Sequence, residues 1–501
     1  MNEEQGVMIL KKILFFLVFF ATNSIFPAID LSSSGNNPKI AMNGLNGVAI
    51  WEESPAIKSA YTSNGGNTWS ASQDVSTSGI NSRPAIFMEG TDVVVVWVGN
   101  TLGDNLEIYG RISSDSGITW DGLPVQIALS PGTQIFDAPQ VAISGDNLVA
   151  VWEDSNGAIL ASYATFSGFS WSATITIYDG PIMGNPSALA PKVAMDGSNV
   201  VVVFFDVASN ILQNHSNDAG VNWLNGDPHP ISAGNSSAQV DIIGLNAIAV
   251  WENLGKIESK YSSDGGLNWS PVSPHEFTSG NTANPNVVME GTNAVVIWGS
   301  AIGGTELVQA STSSDSGHTW SSSIPVSSSV GIMPDLAISG SSVATVWVSD
   351  PSNSTQASGS SNNGLTWSSP ATLSDAGILT MNSHVAISGS LALGIWQTSD
   401  NIIQVSKINI SSGNINIYLK KQHINECLLS LDVTNEIKWG RVAGAVLYRI
   451  YSDSSLNNRI AEVSSPSFYD HGIKAGVLKT YYITSVDSLG NESEATVVSI
   501  L

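Results

Sequence analysis

The chain of 501 residues has one cysteine, five arginines and none of the short catalytic signatures that would place it at once. A lone thiol, Cys427, cannot close an internal disulfide and reads as a small apolar residue. Lys and Arg together number 18 against 42 for Asp and Glu, a formal net charge of −24. Such a surface repels nucleic acid and anionic membranes, and no basic stripe relieves it, so a nucleic-acid partner is excluded. No Gly-x-Ser-x-Gly, P-loop or His-Glu-x-x-His motif occurs. His215, His229, His275, His318 and His384 are scattered without metal-ligand spacing, so most are expected on the surface. No metal and no cofactor is implied.

What the chain has is a repeated stretch. Ser313-Ser-Asp-Ser-Gly-His-Thr-Trp320 follows the pattern Ser-x-Asp-x-Gly-x-Thr-Trp, and Ser113–Trp120, Ser216–Trp223 and Ser262–Trp269 keep its Asp and Gly. Thr62–Trp69 and Ser360–Trp367 place Asn64 and Asn362 at the Asp position, and Asn still offers a carbonyl acceptor. Ala164–Trp171 is worn, with Phe166 there instead. The seven tryptophans (69, 120, 171, 223, 269, 320 and 367) stand 46 to 52 residues apart, the mark of a repeat architecture. In each copy Asp115, Asp218, Asp264 or Asp315 can close a tight turn through its own backbone N–H groups. The Gly supplies positive φ, and the Trp is expected to pack over the turn. A calcium loop is disfavoured, because one carboxylate per copy falls short of what a hard cation needs.

A second signature precedes each turn. Pro139-Gln-Val-Ala-Ile-Ser-Gly145 leads to Leu148-Val-Ala-Val-Trp152, and counterparts end at Trp51, Trp97, Phe204, Trp251, Trp298, Trp347 and Trp396. With the strand before the turn and the one after it, each repeat has four strands, a propeller blade. The turns are similar to Asp boxes, and residues 29–410 resemble the bacterial neuraminidase repeat (sialidase-like) β-propeller families. The eighth copy stops after three strands at Val405–Asn409, while Ala28–Ser32 is an orphan strand. Pairing the two would close eight blades, with seven as the alternative.

Residues 1–28 read as a secretory signal peptide. Lys11-Lys12 precede the apolar run Ile13–Ala21, which is too short to span a bilayer, and Met8 is an alternative start. No Cys follows that run, so no lipid anchor is expected there. Export, secretion or cell-surface display, and no membrane insertion after cleavage, are the expectations. Residues 411–424 read as a linker. Residues 425–501 hold seven short alternating segments suited to a small β-sandwich. Trp439, Tyr448-x-Ile-Tyr451 and Tyr482-x-Thr-Ser-Val-Asp-x-x-Gly-Asn-Glu-Ser493 resemble a fibronectin type III domain, which implies a spacer or attachment unit.

The sialidase resemblance implies three arginines on the sugar carboxylate, a Tyr nucleophile with a Glu partner, and an Asp acid/base. Only Arg83 and Arg111 lie in the propeller, against Arg441, Arg449 and Arg459 beyond it, and two cannot build a triad. The family's Phe-Arg-Ile-Pro motif is also missing; Ser82-Arg83-Pro84 is a faint echo. Acids recur after the second-strand aromatics at Glu52-Glu53, Glu153-Asp154, Asp206 and Glu252, on the face opposite the turns, with Asp137 in the loop 131–138 beside them. They read either as a sugar-binding mouth or as solvated loop acids copied with the repeat. A diverged glycoside hydrolase would draw on Asp137 and Glu153. The favoured reading is a monomeric, non-catalytic binding protein for a glycan or protein ligand.

Overall fold

In a computed structural model the described residues run from 27 to 500, apart from 78, 101–105, 130–137, 155, 180–189, 207, 224–228, 234–235, 272–273, 280–281, 303–304, 351, 376–377, 411–416, 428–429, 440–441, 443–444, 475, 487–491 and 494. Residues 1–26 of the signal segment and Asp137 therefore lie outside the description. All regular structure among the described residues is β.

Blade 1 consists of Asn36–Asn43, Asn46–Glu53, Ala56–Thr62 and Gln73–Asp74, paired in that order. Blades 2 to 5 repeat it, their first strands being Ile80–Glu89, Gln140–Ser144, Lys192–Asp196 and Ser236–Ile243. Blades 6 and 7 share the strand Ile324–Ser339. Its beginning pairs with Thr305–Ser313, and its end pairs with Ser342–Asp350. Blade 8 joins Thr380–Ser388, Leu391–Thr398 and Ile403–Asn409 to the leading strand Ile29–Ser32, with Ile29 opposite Val405. Each blade's first strand touches the first strands of its two neighbours, and the series returns from blade 8 to blade 1. The ring is an eight-bladed propeller, closed by pairing the two ends of its own chain.

The second strands explain why the blades hold together. Each packs against neighbours on both faces, so it carries a continuous apolar run instead of alternation; Val93 to Trp97 are buried throughout. The apolar clusters accordingly fall in the seams between blades, not within them. Trp120 joins Val48 and Ile50 of blade 1 to Val93 and Val95 of blade 2, and Trp320 does the same for blades 5 and 6. The repeated Trp was expected over its own turn; it is instead the wedge between its blade and the preceding one. A ring of that size stabilises by about 2–3 kcal/mol when fully buried.

The turns form as the spacing predicts. Ser313 Oγ donates to Asp315 Oδ1 and accepts from the Gly317 N–H, while Thr319 donates to both Asp315 oxygens. Asn64 and Asn362 accept the equivalent backbone bonds from Thr68 and Thr366. In the worn copy the carboxylate comes from elsewhere. Asp146, on the first hairpin of the same blade, accepts from the Ser167 N–H at 2.7 Å and the Ser167 hydroxyl at 2.8 Å.

The last residues form two sheets, one of Ile417–Cys427, Ser430–Trp439 and Ser467–Asp470, the other of Arg459–Val463, Leu447–Tyr451, Lys479–Val486 and Thr496–Ile500. Trp439, Tyr448 and Ile483 lie in the core between them. The linker reading of 411–424 is corrected from residue 417 onward, where a strand pairs from Ile417 opposite Trp439 to Cys427 opposite Ser430. Its polarity misled because it is an edge strand, and exposed Lys420 and Lys421 are the charges that keep such an edge from pairing further.

Candidate functional site

Opposite the Ser-x-Asp turns, the first strand of most blades enters through a residue in the left-handed region. Asn37, Arg83, Ala190, Ser237, Asn284, Met333 and Asn382 have φ between 41° and 54°. Non-glycine residues there cost on the order of 1 kcal/mol each, so the surrounding structure must impose the conformation. In six of these blades the pairing register shifts at this point, for instance between Asn36 and Lys39. The bulge turns these side chains toward solvent around the mouth of the ring, while Pro38, Pro84, Pro285 and Pro334 behind them are buried. Pro suits the innermost edge strand because it needs no ladder donor there.

Around blades 8, 1 and 2 the mouth is a lattice of amides and carboxylates. Asn382 Nδ2 donates to Asn37 Oδ1 and to Gln397 Oε1, each at 3.1 Å, and Gln397 Nε2 donates to Asn36 and Asn401. Glu52 Oε1 accepts from Asn37 Nδ2 at 2.9 Å and from the Arg83 N–H at 2.5 Å. Beside this lattice lies a cleft of about 390 Å³ lined by Ser34, Glu53, Lys58, Asp74, Ser76 and Asn81, among others. Glu53 Oε2 accepts from the Ser32 hydroxyl at 2.6 Å and from Trp51 Nε1 at 3.1 Å. Lys58 Nζ meets Asp74 Oδ1 at 2.6 Å. Asn81 is spent on structure, accepting from Trp97 Nε1 and donating to the Pro55 and Gly79 carbonyls.

The acids singled out in the sequence fare differently from one another. Glu52 joins the lattice and Glu252 is partly exposed. Glu153 is fully buried, so it lines no mouth. Asp154 and Asp206 are turn formers: Asp154 Oδ1 accepts from the Asn156 and Ala158 N–H groups, and Asp206 Oδ1 from those of Ala208 and Asn210. Short side-chain acceptors two and four residues ahead of their donors are a local signal that the mouth reading passed over. These acids sit on blades 1, 3, 4 and 5. The cleft residues Glu53, Lys58 and Asp74 converge because Lys58 and Asp74 are cross-strand partners, a relation visible only once the register is known. His229, His275 and His318 are exposed as expected, but His215 is buried and His384 lies inside the ring.

The two arginines stand at opposite ends of the ring. Arg83 is exposed at the mouth, while the Arg111 guanidinium reaches the carbonyls of Val75, Trp120 and Gly122 beside an Asp turn. No guanidinium cluster for a sugar carboxylate exists among the described propeller residues.

No family model matches the chain, and no curated protein matches it. Among solved structures it is similar to the Hadza microbial sialidase Hz136, at 11% identity and a TM-score of 0.37, over 75% of this chain and 66% of that one. It is also similar to the NanB sialidase from Streptococcus pneumoniae, at 10% identity and a TM-score of 0.32, over 77% of this chain and 70% of that one. A fucose-specific lectin from Aleuria aurantia matches at 12% identity and a TM-score of 0.35, over 58% of this chain and 95% of that one. At that level the likenesses assign no activity.

Proposed function

We propose that this is an exported, monomeric, non-catalytic glycan-binding protein whose ligand is met by the face opposite the Asp turns. The fibronectin type III-like module, which takes in the strand from Ile417 onward, serves as the spacer that presents it. The observation that carries the reading is the cleft beside blade 1, where hydroxyls of Ser34 and Ser76 stand with the Glu53 and Asp74 carboxylates and the Lys58 ammonium. Sugars are recognised by such convergent sets of fixed donors and acceptors.

The hydrolase alternative is weaker. Glycosidic cleavage needs one carboxyl held as an acid opposite a second carboxylate. In the cleft Asp74 lies against an ammonium and Glu53 already accepts two hydrogen bonds on one oxygen. Of the residues the alternative named, Glu153 is buried.

A glycan array run beside a panel of fluorogenic glycosides tests the reading. Specific binding without turnover, lost in Lys58→Ala and Asp74→Ala variants that remain folded, is the expected result. Turnover of any glycoside, or binding untouched by both variants, overturns it, as does a partner that proves to be a protein.

A further inference from the structure

Two carboxylates and one ammonium line the cleft beside blade 1, and the ammonium is already committed. Lys58 Nζ lies 2.6 Å from Asp74 Oδ1, its cross-strand partner, so that pair is closed within the protein. Glu53 is held differently. Its Oε2 accepts from the Ser32 hydroxyl at 2.6 Å and from Trp51 Nε1 at 3.1 Å, and both donors are neutral. Among the described residues Glu53 takes part in no ion pair, and its Oε1 accepts no hydrogen bond. The Oδ2 oxygen of Asp74 likewise meets no donor among them.

The rest of the lining suits a sugar and fixes its charge. Pro55 and Ala56 give an apolar wall, and Ser34, Ser76 and Thr77 bring hydroxyls. Ser76 Oγ accepts from the Ile57 N–H at 2.9 Å, which leaves its own proton to donate. An acidic sugar would set a second negative charge beside Glu53, with the cleft's ammonium already paired. A neutral sugar would give Glu53 only ordinary hydrogen bonds, whereas a protonated amine gives it a charge-assisted one. The surroundings favour the same sign. Between residues 29 and 410 Asp and Glu number 31 against 8 for Lys and Arg, and such a field draws cations toward the surface.

We infer that the cleft selects a sugar carrying a free, protonated amine, an unacetylated hexosamine, and that Glu53 is the group that receives the ammonium. This rests on the glycan-binding reading above and names the class of sugar within it. The indole and the Ser32 hydroxyl hold one carboxylate oxygen still, so the other meets the ligand already oriented. N-acetylation of the sugar removes the charge that Glu53 recognises.

The test titrates the whole mature chain by calorimetry with trimers of glucosamine, N-acetylglucosamine and glucose of one linkage, at neutral pH and constant ionic strength. The unaltered protein should bind the glucosamine trimer about tenfold more tightly than either of the others, as one charge-assisted contact predicts. In Glu53→Gln, which keeps an oxygen for Ser32 and Trp51, that preference should disappear while the glucose trimer still binds. Independently of any variant, the preference of the unaltered protein should vanish once pH is raised until the sugar amine loses its proton. Equal affinity for all three trimers, abolished by Lys58→Ala, overturns this inference and leaves the glycan-binding reading standing. Binding of no glycan at all overturns both. A preference for glucosamine that survives in Glu53→Gln overturns the role of Glu53, and ethanolamine bound as tightly as glucosamine shows that no sugar is recognised and overturns the proposal.

Discussion

Gln404 Nε2 donates a 2.8 Å hydrogen bond to Asp30 Oδ1 across 374 residues of sequence. The bond lies inside the short ladder that makes the leading strand the fourth strand of the last blade, and Ile29 and Leu31 pack into the seam between blades 8 and 1. Removing residues 27–33 should therefore expose the ladder edge of Ile403–Asn409 and uncover Ile403 and Val405, which are buried. We expect a lower melting temperature and early proteolysis in blade 8. Replacing Asp30 with Ala should cost only about 1 kcal/mol, the usual worth of one hydrogen bond. Denaturant titration of both variants separates the contribution of the strand from that of the bond.

The glycines divide into two groups that a single substitution distinguishes. Gly117 has φ of 78°, and a methyl group placed on it would lie 2.7 Å from Val48 Cγ2 of the preceding blade. Gly90, in a first hairpin, has φ of 61° with nothing within 4 Å of the same position. Both substitutions to Ala strain the backbone, at about 1 kcal/mol. Only Gly117→Ala also drives apart two blades at a packed seam, so its loss should exceed that of Gly90→Ala by about 1–3 kcal/mol. Chemical denaturation of the pair decides it; equal losses would show that Val48 yields freely.

Asp315 can be tested against its own natural alternative. Burial pushes its carboxyl up, but hydrogen bonds from the Thr319 side chain and backbone and from Ser313 outweigh this and hold it below the usual carboxylate range. A lowered folded-state value adds stability that is complete above the unfolded value and is lost as pH falls through the folded one. Asn64 and Asn362 already make the same turn. Asp315→Asn should then be nearly neutral at neutral pH and lose less stability on acidification, while Asp315→Ala should cost about 1–2 kcal/mol, as removal of a capping acceptor does. Melting curves across the acid range check both.

How much of this was legible in the sequence depends on how far apart the cooperating residues lie. The eight-residue turn closes on itself, so Ser, Asp, Gly and Thr had to appear at fixed spacing, and the repeat and the eighth blade could be counted. The seam role of Trp120 could not be read, because its partners Val48 and Ser59 belong to another repeat. Asp146 replacing the missing acid of the worn copy was hidden likewise, 21 residues from the serine it holds. Least visible was the inter-blade row in which Asn286 donates to Asp335, Asp335 meets His384, and His384 meets Lys39. Each residue sits at one register position, but chemistry differs from repeat to repeat, so no motif recurs. Buried Glu153 and turn-forming Asp154 are adjacent acids that composition cannot tell apart.

Asp241 offers the sharpest test of the channel wall. It sits on the innermost strand of blade 5, where Oδ2 accepts from the Met289 N–H of blade 6 at 2.7 Å and Oδ1 from the Ile242 N–H at 2.8 Å. Burial outweighs those two bonds and, helped by the charges of Asp196 and Glu290, pushes the carboxyl up to about 7. The unfolded chain ionises the same group near its ordinary value of about 4. Between those two values the folded state holds a proton that the unfolded state has released, so this residue makes stability fall as pH rises, and the fall ends above about pH 7. In Asp241→Asn the proton is gone in both states. The stability of the variant relative to the natural protein should therefore climb steadily from about pH 4 to about pH 7 and then level off, whatever the variant loses by forfeiting one acceptor. Denaturant midpoints measured in parallel across that range give the difference directly. A difference that stays flat would mean that Asp241 is ionised in the folded ring, and that water or a cation reaches it from the channel.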